Sequence, residues 1–314
     1  MNVGRELAIG VDIGGTNLKL GAVRPNGEVL AHESVPLQKN PDGRADIRAL
    51  SVHVDRFIQR LPHGGRIAGI GVSCPGLLDT GNRKILQAVN LKWENVALDS
   101  FVKPPEGIPV YLEYDALAGA LGEKHYGAAQ GLSNFLYVCI GTGIGASLFV
   151  NGEPYRAGIV SSLNLGHMSI AFDGLSCTCG NKGCLEKYVS APAMRMRLNG
   201  DTQSPSDGPD SDLLQLAAQA AASGDLQAAE LFRDAGQKLA IGLVNCLQLF
   251  GGTTVVIGGG VSQAGSLLLD PARDELAARY RYAASPVELV QAKFPTLAGV
   301  MGAAATVFAE EKLI

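Results

Sequence analysis

The sequence predicts a duplicated α/β fold of two domains, and two observations carry that expectation. A short apolar strand, a Gly-Thr turn, a second strand and an Asn-Gly hairpin signal occur in the first 30 residues and recur between Asn134 and Gly152. The chain is also long enough for two ordinary domains, at 314 residues with 46% hydrophobic, 18% charged and 40 glycines, a globular composition rich in turns.

The elements follow in order. Leu7 to Val11 is a short apolar run that ends at Asp12, and Leu18 to Val23 resumes the strand pattern before the Asn26-Gly27 turn. Gly27 to Pro36 reads as a third strand and Ala45 to Leu61 has helical spacing. Ile67 to Ser73 is a buried strand ending at Pro75-Gly76, Val110 to Glu113 is another, and Asp115 to Tyr126 has a helical pattern. The second cycle places strands at Asn134 to Ile140 and Ala146 to Val150, joined by Gly141-Thr142-Gly143-Ile144-Gly145. Ser204 to Asp212 is polar with Pro and Gly, so a loop is expected there. Leu213 to Ala222 and Leu226 to Phe250 read as long helices, Thr253 to Ile257 as a strand ending at Gly258-Gly259-Gly260, and Ala298 to Leu313 as a C-terminal helix. The expected division is a small domain over 1–115, completed by the helix at about 299–314, and a large domain over 116–298.

Composition excludes several classes of function. A net charge of −4 provides no electrostatic footprint for nucleic acid. No apolar run reaches membrane-spanning length and no signal peptide precedes the first strand, so a cytoplasmic protein with no membrane partner is expected. Of the six cysteines, Cys74, Cys139 and Cys246 lie among apolar or small residues and read as buried thiols.

The other three cysteines form the most specific motif in the chain. Cys177, Cys179 and Cys184 follow His167 by ten, twelve and seventeen positions, and Glu186 stands two beyond the last of them. Four soft or borderline ligands in so short a segment make a closed tetrahedral Zn²⁺ site, with Gly174, Gly180 and Gly183 permitting tight bends. Disulfides or uncomplexed structural thiols are the alternative, disfavoured in a reducing compartment.

Two glycine turns point to phosphate. In Asp12-Ile13-Gly14-Gly15-Thr16-Asn17 the glycines let backbone N–H groups approach an anion, Thr16 adds a hydroxyl, and Asp12 is placed to hold Mg²⁺ directly or through water. No Gly-Lys-Ser/Thr follows, so this is not a Walker A loop, and an ordinary hairpin would also use Gly-Gly. Gly141-Thr142-Gly143 repeats the pattern in the second half, as a nucleotide held between two domains requires. Gly258-Gly259-Gly260 would let the chain pass close to an adenosine, or simply turn it into a helix. Asp115 opens a helix after a buried strand, where it could cap that helix or act as a base toward a hydroxyl attacking a γ-phosphoryl group.

Together these segments resemble the ROK family (repressor, open reading frame, kinase). The matching parts are Asp12-x-Gly-Gly-Thr, Tyr114-Asp115, Gly141-Thr-Gly-x-Gly, Gly166-His167, Cys177-x-Cys179-Gly-x-x-Gly183-Cys184-x-Glu186 and Gly258-Gly-Gly, from about residue 7 onward. The resemblance implies the actin-like ATPase (ribonuclease H-like) fold, two domains with a cleft between them, and ATP as phosphoryl donor. It implies Asp115 as the catalytic base, Zn²⁺ on His167, Cys177, Cys179 and Cys184, and sugar hydroxyls on His167 and Glu186. A metal-held imidazole has a fixed orientation, so its second nitrogen is a preorganised donor. Gly76 and Asn90 fall where the family's Pro-Gly and Pro-Asn-Leu segments contact sugar, although Val89 here replaces the proline. Homodimers are frequent in the family, so a second copy is the expected protein partner.

Two departures bear on the substrate. Glucose kinases of the family usually read Glu-Asn-Asp where this chain has Glu113-Tyr114-Asp115, and Glu-x-Gly-His where it has Asn164-Leu165-Gly166-His167. A pocket that loses an amide and a carboxylate should reject glucose, because unmatched buried polar groups are costly. The expected activity is therefore ATP-dependent phosphorylation of a modified hexose, aminosugar or cyclitol, with Tyr114 and Asn164 beside the substrate. Tyr114 could instead point away, with water replacing the lost carboxylate. A plain glucokinase or fructokinase, a non-catalytic sugar-binding protein, and polyphosphate as donor stand as alternatives. A repressor is disfavoured because the first phosphate turn begins too early to leave room for a DNA-binding segment.

Overall fold

The computed structural model describes residues 6–61, 65–156, 163–198, 200, 211–281 and 286–314, and the expected loop after Ser204 lies outside them as far as residue 210. The chain divides into two units, one of residues 1–132, 154–162 and 296–314, the other of 133–153 and 163–295.

Unit 1 is built on β1 (Glu6–Ile13), β2 (Asn17–Val23), β3 (Val29–Pro36), β4 (Arg66–Cys74) and β8 (Val110–Tyr114), with α1 (Ile47–Gln59) between β3 and β4. β1 and β4 are apolar and buried along nearly their whole length, as strands covered on both faces must be. The sheet order is β3-β2-β1-β4-β8, antiparallel across the first hairpins and parallel from β1 to β4 to β8. A separate three-stranded sheet, β5 (Leu77–Asp79), β6 (Lys84–Ala88) and β7 (Trp93–Ala97), was not foreseen. Its strands are short, and Trp93 anchors it by donating its indole N–H to the Ala45 carbonyl at 2.9 Å.

Two helices complete unit 1. α2 (Asp115–Tyr126) has the predicted bounds, and α8 (Ala298–Glu310) begins where expected. Their backbones touch. A Cβ on Gly122 would lie 2.8 Å from the Ala298 carbonyl oxygen, and one on Gly302 would run into the Ala118 carbonyl. This close packing puts α2 in unit 1, so the division falls after residue 132 rather than at the expected 115. Residues 154–156 also join unit 1, where Arg156 pairs with the buried Glu113, Nη2 to Oε2 at 2.7 Å.

Unit 2 repeats the topology. β9 (Phe135–Ile140), β10 (Ile144–Val150), β11 (Glu153–Pro154), β12 (Thr254–Gly258) and β13 (Glu288–Gln291) are ordered β11-β10-β9-β12-β13, with β9 and β10 antiparallel and β9, β12 and β13 parallel. The β10–β11 turn places Asn151 and Gly152 at φ of 55° and 88°, the pair of left-handed residues that a type I′ hairpin demands. α3 (Glu186–Val189), α4 (Ala191–Leu198), α5 (Ser211–Ala222), α6 (Leu226–Phe250) and α7 (Ser266–Arg279) supply the helices. Leu231, Phe232, Leu239 and Leu243 of α6 pack with Val138, Val255 and Ile257 in one core. Asp225 caps α6 by accepting from the Gln227 and Ala228 amides.

Candidate active site and metal centre

Strand register fixes the surroundings of Asp12. It stands opposite Lys19 across β1–β2 and opposite Ser73 across β1–β4. Ser73 Oγ donates to Asp12 Oδ1 at 2.9 Å, and Lys19 Nζ lies 3.8 Å from Oδ2 while donating to the Thr296 carbonyl at 2.8 Å. Gly299 in the first turn of α8 packs closely against Asp12, since a Cβ there would lie 2.5 and 2.7 Å from the two carboxylate oxygens. Asp12 thus rests at a helix N-terminus, where the macrodipole favours an anion. Lys19 and Ser73 did not stand out in the sequence; the hairpin register alone would have found Lys19.

The turn after Asp12 is closed by Gly14 N donating to the Asn17 carbonyl at 2.9 Å. Thr16 is exposed at its tip and accepts from Asn17 Nδ2 through Oγ1, while Gly15 is half-buried.

Asp115 is the first residue of α2. Its Oδ1 accepts from the Ala116 amide at 2.7 Å. Solvent reaches the side chain, yet the fold crowds around it and strips away hydration, which raises its pKa to about 6, with the Asp12 charge adding to the rise and the Ala116 bond opposing it. Direct solvent contact screens such a charge, so about 6 is the upper end of that displacement. Cys74, at the end of β4, is fully buried, and that burial and then the charges of Asp115 and Asp12 push its thiol well up. One buried thiol therefore senses both carboxylates.

The neighbouring Tyr114 departs from its expected place. Its ring is 2% exposed and its hydroxyl donates to the Leu78 carbonyl at 2.9 Å, so the phenol ties β8 to β5 inside unit 1 rather than standing open to a substrate. Gly76 and Asn90 are both exposed. Gly76 has φ of +113° with its Cα hydrogen against the Gln87 carbonyl, a position closed to any larger residue. Asn90 lies in a short 3-10 turn, Val89–Leu91.

In unit 2 the chain forms the second turn, closed by Gly141 N donating to the Gly143 carbonyl at 2.9 Å, with Thr142 exposed between them. Gly258 and Gly259 have a packing reason of their own. Gly258 abuts the Tyr137 hydroxyl, and Gly259, at φ of +83°, lies against the Ile140 backbone. Gly260 has open space where a side chain would be.

The cysteine segment closes on itself. Cys177 N donates to Asn181 O at 2.8 Å, Ile170 N to Gly183 O at 2.8 Å and Leu185 N to Met168 O at 3.0 Å. Gly183 takes φ of +68° against the Ala171 backbone. These bonds bring His167, Cys177, Cys179 and Cys184 together, with their ligand atoms all within 4.8 Å of one another. Cys179 Sγ lies 3.7 Å from Cys184 Sγ, and Cys177 Sγ lies 3.7 Å from His167 Nδ1. A tetrahedral ion about 2.3 Å from each sulfur sets sulfur–sulfur edges of about 3.8 Å, so the donor set fits Zn²⁺. Burial, then its neighbouring thiols, raises the Cys184 pKa to about 12; the sulfur itself is fully enclosed, although it lies near the surface of the fold. A cation is what would hold such a group as thiolate. Because Nδ1 faces the cluster, Nε2 faces away from it.

Glu186 follows directly. Its Oε2 accepts from the Ile144 amide at 3.0 Å. Asn164 is exposed, at the entry to the short turn Leu165–His167.

With this geometry in place, the similarities to known proteins are specific. The ROK family signature matches residues 8–310. A glucokinase of Streptomyces coelicolor is 30% identical over 314 residues, covering 95% of this chain and 96% of that one. A xylose repressor of Bacillus spizizenii is 32% identical over 274 residues, covering 87% of this chain and 69% of that one. A crystal structure of a ROK family glucokinase from Streptomyces griseus, in complex with glucose and AMPPNP, superposes with a TM-score of 0.80 at 28% identity, covering 96% and 98% of the two chains. The fold is that of the actin-like ATPases. The chain belongs to the ROK family.

Proposed function

We propose that the protein is an ATP-dependent carbohydrate kinase. It transfers the γ-phosphoryl group of Mg·ATP to a hydroxyl of a hexose-like substrate. The observation that carries this reading is Asp115, an accessible carboxylate at the strand-to-helix junction whose pKa is raised to about 6. A base near that value is ionised at neutral pH and strong enough to accept a hydroxyl proton as the oxygen bonds to phosphorus. Asp12 is the Mg²⁺ candidate; when bound, the ion would neutralise charge on the phosphates. The turns Gly14–Asn17 and Gly141–Gly143 are assigned to phosphates and Gly258–Gly260 to the adenosine side.

Zn²⁺ on His167, Cys177, Cys179 and Cys184 is part of the same reading, as a structural ion that orients the His167 ring. His167 and Glu186 then meet the sugar hydroxyls, with Gly76, Asn90 and Asn164 around them. The missing amide at 114 and the missing carboxylate at 164 favour a modified hexose, aminosugar or cyclitol over glucose. Tyr114, committed to Leu78, serves this pocket by what it omits rather than by contact. The similarity to a xylose repressor favours a second reading, a sugar-responsive regulator without turnover.

A nucleotide-coupled assay over hexoses, aminosugars and cyclitols separates the two. Turnover with one class of sugar supports the kinase; saturable sugar binding with no turnover under ATP or polyphosphate supports the regulator.

A further inference from the structure

Glu186 touches more than its place in the cysteine motif calls for. Its Oε2 accepts from the amide of Ile144, the first residue of β10 and the one that directly follows the second glycine turn. The same oxygen lies 2.7 Å from where a Cβ on Gly143 would stand. Five residues on, Ala191 N donates to the Gly141 carbonyl at 2.8 Å. The segment 186–191 therefore grips the turn 141–144 at both ends, and at its own N-terminus it is joined to the cysteine cluster through Cys184.

We infer that Glu186 is a positioning residue for the phosphate turn as well as a sugar contact, and so couples the two ligands; this rests on the kinase reading above. A carboxylate has acceptor capacity for several donors, so holding Ile144 leaves it able to receive sugar hydroxyls. Any hydroxyl that binds the carboxylate re-aims the oxygen fixing the Gly143–Ile144 peptide, which then presents its turn differently to phosphate. Coupling of this kind is reciprocal: sugar alters nucleotide affinity by the same factor that nucleotide alters sugar affinity. The absence of a side chain at Gly143 is what allows the carboxylate to lie there.

The test uses the full-length protein, Mg·AMPPNP as nucleotide probe with no sugar present, and amide exchange at Ile144. Glu186→Ala should speed exchange of the Ile144 amide at least tenfold and weaken AMPPNP binding about tenfold or more, as loss of one charge-assisted hydrogen bond does. Glu186→Gln keeps an acceptor for Ile144, so its sugar-free AMPPNP affinity should stay within about twofold of wild type while affinity for the best sugar of the panel falls. Gly143→Ala should displace the carboxylate and weaken sugar binding in the absence of nucleotide, even though residue 143 belongs to the phosphate turn. Wild-type AMPPNP affinity and Ile144 exchange in Glu186→Ala would overturn the coupling alone. Should Glu186→Ala fail to fold, unchanged sugar affinity in Gly143→Ala would overturn it. A wild-type protein that binds no AMPPNP removes the kinase reading and the coupling together.

Discussion

At the level of single residues the proposed base, Asp115, has electrostatics that set two expectations. A carboxyl whose folded pKa lies above its unfolded value binds its proton more tightly when folded, so this group's contribution to stability falls as pH rises from about 4 to about 6. Ionised Asp115 is thus a small liability at neutral pH, and Asp115→Asn, whose Oδ1 can still accept from Ala116, should keep or raise the melting temperature. The same variant should lose about 10²–10⁴ in kcat with substrate and nucleotide binding retained. Near-normal turnover would remove Asp115 from the mechanism. In the wild type, kcat/KM should fall about tenfold per pH unit below an acid limb at or under about 6, and that limb should vanish in the residual activity of Asp115→Asn. At this scale the sequence disclosed which residues could do chemistry but not which way they faced. Tyr114 illustrates the gap: its position beside Asp115 was plain, but only the course of β5 shows that a carbonyl waits for its hydroxyl inside the core.

Among the elements, the cysteine segment was the most legible, because His167, Cys177, Cys179 and Cys184 at that spacing were expected to converge and their ligand atoms do lie within 4.8 Å of one another. On the proposed Zn²⁺ reading, chelation should free His167, Cys177, Cys179 and Cys184 in a loop held otherwise by a few backbone bonds, and sugar affinity should fall with the measured zinc content. Unchanged sugar affinity in a verified metal-free protein would contradict that role. The α2–α8 contact was illegible by comparison. Leu117, Ala118 and Ala120 are all fully buried, so α2 shows no exposed face, and nothing local says which distant helix covers it. Gly302→Ala should nevertheless be severe. Its methyl meets the Ala118 carbonyl, backbone that cannot give way without moving α2, and about 3 kcal/mol of stability should be lost in denaturant titration. A loss below about 0.5 kcal/mol would show that the helices pack less closely than described.

For the molecule as a whole, duplication was readable from the paired Gly-Thr turns, and the two sheets share one order of strands. Unit boundaries were harder, because they depend on where the chain crosses rather than on composition. Contact between α2 and α8, and the Arg156–Glu113 pair, go with the placement of residues 116–132 and 154–156 in the first unit. β5 to β7, α7 with its internal Pro271, and β13 escaped notice because they are short, edge-like or interrupted. No described helix is long and apolar enough to cross a membrane.

Because α8 follows all of the second unit in sequence yet fills the first, the ribosome must finish that entire intervening unit before the first can close. Until then β1 and β4 have no lid on the side that Val300 and Val307 later cover. During translation the nascent N-terminal segment therefore carries bare apolar strands until the last residues of the chain emerge.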